Sequence, residues 1–130
     1  ETQPEFSKIK QYIFEPDAAV IKAGLVCELG SELGFSQMYN VPEFLTGNRE
    51  VFSEFGTLYE VLDIRKFTLR IFQKYVKENK IGVLELKTKG FYQTVEDFRK
   101  KLKLKGKNKA LIMLIRHSDE YNFLILKRKR

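Results

Sequence analysis

Thr94-Val-Glu-Asp97-Phe98-Arg99-Lys100-Lys101-Leu102-Lys103-Leu104-Lys105-Gly106-Lys107-Asn108-Lys109-Ala110-Leu-Ile-Met-Leu-Ile115 passes from a helix signature to a strand signature with a basic run between them. Thr94 followed by Asp97 has the form of a capping box, with Asp where Glu is more usual. It opens a short helix that buries Val95, Phe98 and Leu102, while Arg99, Lys100, Lys101 and Lys103 fill its other positions. Gly106-Lys107-Asn108 turns the chain. Ala110 to Ile115 is apolar on both faces, the pattern of a central strand. The segment His117 to Glu120 is predicted to be a hairpin loop that leads back through Tyr121 to Leu126.

Working upstream, Ile81 to Lys87 reads as a strand with Gly90 turning the chain after it. Thr68 caps a helix through Asn79 whose buried stripe is Leu69, Phe72 and Val76, and Leu58 to Ile64 is the strand before it. Phe35 to Gly56, with its aromatics, Pro42 and Gly47-Asn48, reads as a loop with short extended pieces. Ala18, Ile21, Leu25, Leu29 and Leu33 recur at steps of three or four and predict one helix. Pro16 would sit in its first turn, Asp17 beside its N-terminal dipole, and Gly34 would end it in a left-handed conformation. Gln11 to Phe14 is a brief strand. The order is βα, a loop region, then βαβ and αββ, which predicts an α+β domain or pair. At 130 residues the chain suffices for one compact domain or two small subdomains.

Hydrophobic residues make up 43% and aromatics 13%, enough apolar material to fold. The longest uncharged apolar run, Ala110 to Ile115, is far too short to span a bilayer. No basic segment leads into an apolar stretch at the start, so no signal peptide is expected. The chain begins at Glu1, as a trimmed or an excised piece would. Its one cysteine, Cys27, can form no internal disulfide and fits a reducing, cytoplasmic setting. Lying beside the apolar stripe, it reads as a buried structural thiol.

Chemistry is scarce. His117 is the only histidine, and its adjacency to Ser118 and Asp119 carries no catalytic meaning, since triad members meet through the fold. One His and one Cys cannot assemble a zinc site of nitrogen and sulfur ligands. Gly24, Gly30 and Gly34 lie in or at the end of one helix, at the wrong spacing for a dinucleotide or Walker loop. No strand leads into the acidic, Gly-rich turn that S-adenosylmethionine needs, and Asp119-Glu120 reads as an exposed turn. No catalytic residue, cofactor site or metal site is expected in this chain.

Charge is regional. Through Glu96 there are 12 basic residues against 14 acidic ones; from Asp97 on there are 12 against 3, a local balance of +9 within a net charge of +7. Arg99, Lys100, Lys101, Lys103, Lys105, Lys107 and Lys109 follow one another with no acid among them. In an extended chain Lys103, Lys105, Lys107 and Lys109 would project to one side. So dense a row repels itself unless something neutralises it. Phosphates would do that, with counterion release driving the binding. A solvated face that only keeps the chain soluble is the alternative; the absence of acids favours nucleic acid. Phe91 and Tyr92 are either stacking residues or core. Lys127 to Arg130 either adds contacts or frays.

Two stretches resemble a bacterial family of candidate S-adenosylmethionine-dependent methyltransferases. Tyr12-Ile-Phe-Glu15-Pro16-Asp-Ala18-Ala-Val-Ile-Lys22-Ala23-Gly24 resembles the segment after that family's catalytic domain. Leu84-Glu-Leu-Lys87 through Phe98-Arg99-Lys100-Lys101-Leu102-Lys103-Leu104-Lys105-Gly106, with the hairpin after it, resembles its terminal THUMP-like domain. The chain departs from the family's pattern with Phe55-Gly56-Thr57 where an aromatic-Pro-Gly-Arg segment is usual. It also has Lys89-Gly90 where Arg often precedes the Gly, and Lys lacks the bidentate phosphate clamp of Arg. The resemblance implies a helical connecting segment over 1–56, a ferredoxin-like piece over 57–90 and a THUMP-like basic domain over 91–130. It places the methyl-transfer site and its S-adenosylmethionine in an upstream domain of the same chain, and makes the partner RNA, tRNA or rRNA. The seven residues from Arg99 to Lys109 would then contact phosphates, with Lys87, Lys89 and Arg116 as outlying candidates. The rival expectation is a structural or protein-interaction module that packs on the catalytic domain. A membrane surface is disfavoured, because no long helix pairs a basic face with a broad apolar one.

Overall fold

The computed structural model describes residues 3–39, 41–89, 93–117 and 119–129. Gly90, the stacking candidates Phe91 and Tyr92, Ser118 and the terminal Arg130 lie outside them. Eight strands and four helices make an α+β fold among the described residues. The chain divides into two compact units, Glu1–Leu62 with Lys127–Arg130, and Asp63–Leu126.

The first unit contains β1 (Phe6–Ser7), β2 (Tyr12–Pro16), α1 (Ala18–Lys22), α2 (Val26–Leu33), β3 (Ser36–Met38), β4 (Val41–Gly47) and the start of β5 (Gly56–Lys66). Its strands are ordered β1-β3-β4-β2-β5. The single helix expected from Ala18 to Leu33 is two. Gly24 takes a left-handed conformation, φ 71°, and breaks it. Ala18, Ile21 and Leu25 are therefore exposed, while Val26, Leu29, Gly30 and Leu33 turn inward. Pro16 does not open a helix; it ends β2 opposite Gly56, a position where its missing N–H is tolerated. Gly34 caps α2 in the left-handed region as predicted. Cys27 is half-buried rather than fully enclosed.

The segment expected to be a loop with short extended pieces, Phe35 to Gly56, holds the two strands β3 and β4. Pro42 is accommodated because β4 is bonded there only toward β3, beside a register shift, and pairs with β2 only from Leu45 onward. Thr46 is fully buried, and its hydroxyl donates to the Tyr12 carbonyl at 2.7 Å and accepts from the Lys10 N–H at 2.8 Å. Tyr12, Phe14, Leu29, Phe35, Leu45 and Leu58 join the core of this unit.

The second unit carries the end of β5, α3 (Leu69–Glu78), β6 (Ile81–Lys89), α4 (Val95–Arg99), β7 (Asn108–His117) and most of β8 (Glu120–Arg128). Strand order is β5-β8-β7-β6. β6 and β7 are parallel, so a long crossover containing α4 must join them. β7, flanked on both sides, buries Ile112, Met113, Leu114 and Ile115 completely, each 0% exposed. It runs on to His117, whose backbone faces Glu120 in the register, so the expected loop there is shorter than four residues.

Four rings fill the centre of this unit. Phe67 precedes α3, Phe72 lies on α3, Phe98 on α4 and Phe123 on β8. Phe72 meets Phe98 at 5.2 Å and Phe123 at 5.0 Å, both edge to face, the geometry the ring quadrupole favours. Thr68 starts α3 by accepting the Ile71 N–H at 3.1 Å. Thr68→Ala should therefore cost about 1 kcal/mol, read as a lower urea midpoint with unchanged slope.

Candidate functional site

The basic run is placed by what surrounds it. Thr94 accepts the Asp97 N–H at 3.1 Å and starts α4, with Glu96 and Asp97 in the first turn where negative charge is favoured. The helix lasts only to Arg99, because Leu102 and Leu104 are drawn onto the phenylalanine core. Residues 102–105 belong to no helix or sheet, and burial alternates along them. In such a chain alternate side chains point oppositely. Burying Leu102 and Leu104 thus turns Lys101, Lys103 and Lys105 outward, and all three are exposed.

Backbone ties fix this segment at both ends. Gln73 on α3 donates its amide to the Lys101 carbonyl at 3.0 Å. The Asn108 N–H donates to the Lys80 carbonyl at 3.0 Å, and the Asn108 side-chain amide donates to the Asn79 carbonyl at 2.9 Å. Between them Gly106 crosses against Gly82 and Lys80 so closely that a Cβ on either glycine would meet a backbone carbonyl. Gly82 is the extra residue where β6 shifts register against β7. Gly106→Ala should cost about 1–3 kcal/mol as an overpacked site and displace the lysines. Equilibrium denaturation and the amide chemical shifts of 101–107 would register the two effects.

Lys101, Lys103 and Lys105 form one side of a groove of about 600 Å³ whose other side is the end of α3 with Lys77 and Lys80. Val76, Ile81 and Leu102 supply apolar surface, and no carboxylate lines it. Lys77 and Lys80 went unnoticed in the sequence because they lie in the stretch whose charges balance. Their i, i+3 spacing at a helix end was the available signal.

The remaining candidates are dispersed. The Arg99 guanidinium donates to the Leu84 carbonyl and is half-buried, tying α4 to β6. Lys100, Lys107 and Lys109 are exposed outside the groove. Lys87 and Lys89 are half-buried on β6. Eight residue steps along β6 separate Lys89 from Ile81, roughly 26 Å. Arg116 is exposed near the same far end of β7, opposite Tyr121.

Among the described residues, no group displaced in titration is poised for proton transfer at neutral pH. The hydrogen bond that the Arg65 guanidinium donates to Asp63, at 2.8 Å, raises Arg65 further. Burial raises the Tyr75 hydroxyl against the opposing pull of Arg65, whose guanidinium carbon lies 5.0 Å from its ring centroid. The bond to Glu50 raises Lys129. Among the described residues, no three His, Cys, Asp or Glu side chains gather where they could hold a metal ion.

The THUMP domain-like family matches residues 56–129. Over 106 residues, 82% of this chain and 29% of the relative, the chain is 27% identical to each of two uncharacterized S-adenosylmethionine-dependent methyltransferases of Mycobacterium tuberculosis. One is from strain CDC 1551 / Oshkosh and the other from strain ATCC 25618 / H37Rv. A crystal structure of a candidate methyltransferase from Porphyromonas gingivalis W83 aligns with TM-score 0.77 and 19% identity, covering 100% of this chain and 32% of that one. That likeness speaks to the fold. The chain spans about a third of the length of these relatives or less.

Proposed function

We propose, from the premise that this chain belongs to the THUMP domain-like family, that it is the non-catalytic, RNA-holding region of an S-adenosylmethionine-dependent methyltransferase. Catalysis and the methyl donor would reside in a domain upstream. Residues 1–56 would connect to that domain, and 57–90 with 91–130 would hold the substrate in the cytoplasm. No helix among the described residues is long and apolar enough to cross a membrane.

The observation that carries this reading is the outward row Lys101, Lys103, Lys105. Lysines at every second residue lie at most about 7 Å apart along the chain, within reach of successive phosphates of one RNA strand. The row is fixed before any ligand arrives, by the burial of Leu102 and Leu104 and the Gln73 bond. Less ordering entropy is then lost on binding. Arg99, Lys100, Lys107 and Lys109 flank it, with Lys87, Lys89 and Arg116 as outlying contacts. The test is a titration of the chain with tRNA and rRNA fragments across a salt series. Micromolar binding that weakens steadily with salt is expected; binding only at millimolar concentrations overturns the proposal.

A protein-interaction role has one observation in its favour. In the first unit Phe6 and Tyr39, each 47% exposed, lie nearly parallel with centroids 6.4 Å apart. In that reading the methyltransferase domain would cover this pair, and the lysine row would serve solubility.

A further inference from the structure

We infer that the groove is a two-walled clamp for a phosphodiester backbone, in which Lys77 and Lys80 of the α3 end face the row Lys101, Lys103 and Lys105. The inference rests on the RNA-holding reading and extends it to a wall formed by residues outside the basic run.

Three observations support it. Five lysines and no carboxylate are among the residues that line the groove. Five like charges carried around one concavity repel one another, and a polyanion relieves that repulsion. The walls are also joined rigidly, at one end by Gln73 to Lys101 and at the other by Asn108 to both Asn79 and Lys80. The clamp is therefore preformed.

Lys80 itself supplies the third. Its φ of 51° is in the left-handed region, alone among the described non-glycine residues. It follows the C-cap Asn79, the position where helices most often place glycine because a Cβ is strained there. A lysine at that point sacrifices stability and gains an ammonium group at the rim of the groove. Strain kept at such a position is what a binding role would require. A helix-capping role alone would be better served by glycine.

Stability and binding should then move in opposite directions on substitution. Lys80→Gly is expected to raise Tm yet weaken RNA binding roughly 5- to 8-fold in 0.1 M salt, the loss of one phosphate contact. Lys77→Gln with Lys80→Gly is expected to weaken it roughly 25- to 60-fold and to make the salt slope shallower by about 1.4 to 1.8. Fluorescence anisotropy on the full chain would use an oligouridylate, a hairpin RNA duplex and poly-glutamate. Loss on either RNA that exceeds the loss on poly-glutamate supports the clamp and identifies the strand form it takes. Unchanged affinity and slope on both RNAs, while Lys101, Lys103 and Lys105 charge reversal abolishes binding, overturns the second wall and leaves the parent reading standing. Equal weakening on poly-glutamate overturns it in favour of an acidic protein. Millimolar-only RNA binding by the unaltered chain removes the parent reading and this one with it.

Discussion

Phe72→Ala is expected to remove about 3–5 kcal/mol of stability, enough to leave the second unit marginal when whole domains are held by about 5–15 kcal/mol. Phe72 is 0% exposed and contacts Phe67, Phe98 and Phe123 at centroid distances of 5.9, 5.2 and 5.0 Å. Those partners come from three other segments, so no one element can move to fill the space. The cost therefore combines lost transfer energy with an unrelaxed cavity. Its neighbour provides the control. Ile71 is 40% exposed on the same helix, and its role in the Thr68 cap is through the backbone N–H. Ile71→Ala should stay within about 0.5 kcal/mol. Urea unfolding followed by tyrosine fluorescence suits the comparison, because Tyr75 packs on Phe123 at 5.5 Å. Equal losses for the two variants would mean that the four-ring core does not hold this unit together.

That core was legible in the sequence, and the reason is local. Phe72 and Val76 follow a helical period after a capping threonine, and Ile112 to Ile115 follow none because both faces of β7 are covered. Where the reading failed, a local backbone turn or a partner distant in sequence had decided the outcome. Ala18, Ile21 and Leu25 have the period of a buried helix face, yet Gly24 turns left-handed and leaves them in solvent. Pro16 is compatible with a helix start, but pairing with Gly56 across β2 and β5 makes it a strand residue. β4 was hidden by Pro42 and Gly47, both poor strand formers in isolation, beside Thr46, whose hydroxyl has to be buried. They are acceptable where the bonding is one-sided, where Tyr12 accepts the threonine hydroxyl, and where the Phe35 ring leaves no room for a Cβ at Gly47.

The site divides in the same way. The row expected from the sequence was Lys103, Lys105, Lys107 and Lys109; burial of Leu102 and Leu104 sets it at Lys101, Lys103 and Lys105, and Lys107 and Lys109 lie outside the groove. Arg99 was counted with the row on charge alone, whereas its guanidinium serves the Leu84 carbonyl. Lys77 and Lys80 could not be assigned, since their proximity to Lys101 depends on how α3, β6 and the crossover meet. Net charge by region located one wall of the groove; only the fold located the other.

Reversing Lys101, Lys103 and Lys105 to glutamate should have the largest effect on binding. Removing three phosphate contacts lowers the salt slope by about 2.1 to 2.7 and, in 0.1 M salt, the affinity by roughly 100- to 500-fold. The glutamates then add repulsion, so these figures are lower bounds if RNA is the partner. Folding should survive, because all three side chains are exposed and the ties to Gln73 and Ile81 use backbone atoms. Relieving lysine crowding works in the same direction. A neutral set, Lys101→Gln with Lys103→Gln and Lys105→Gln, separates the two contributions: it should lose the counterion-release part and nothing more. Reversal of Lys87 and Lys89, at the other end of β6, measures how far the contact surface extends. A loss there as large as in the row would place the RNA along the strands rather than in the groove. If the triple glutamate variant binds RNA as tightly as the unaltered chain and with the same slope, the row is only a solvated face, and what it does is keep the chain in solution.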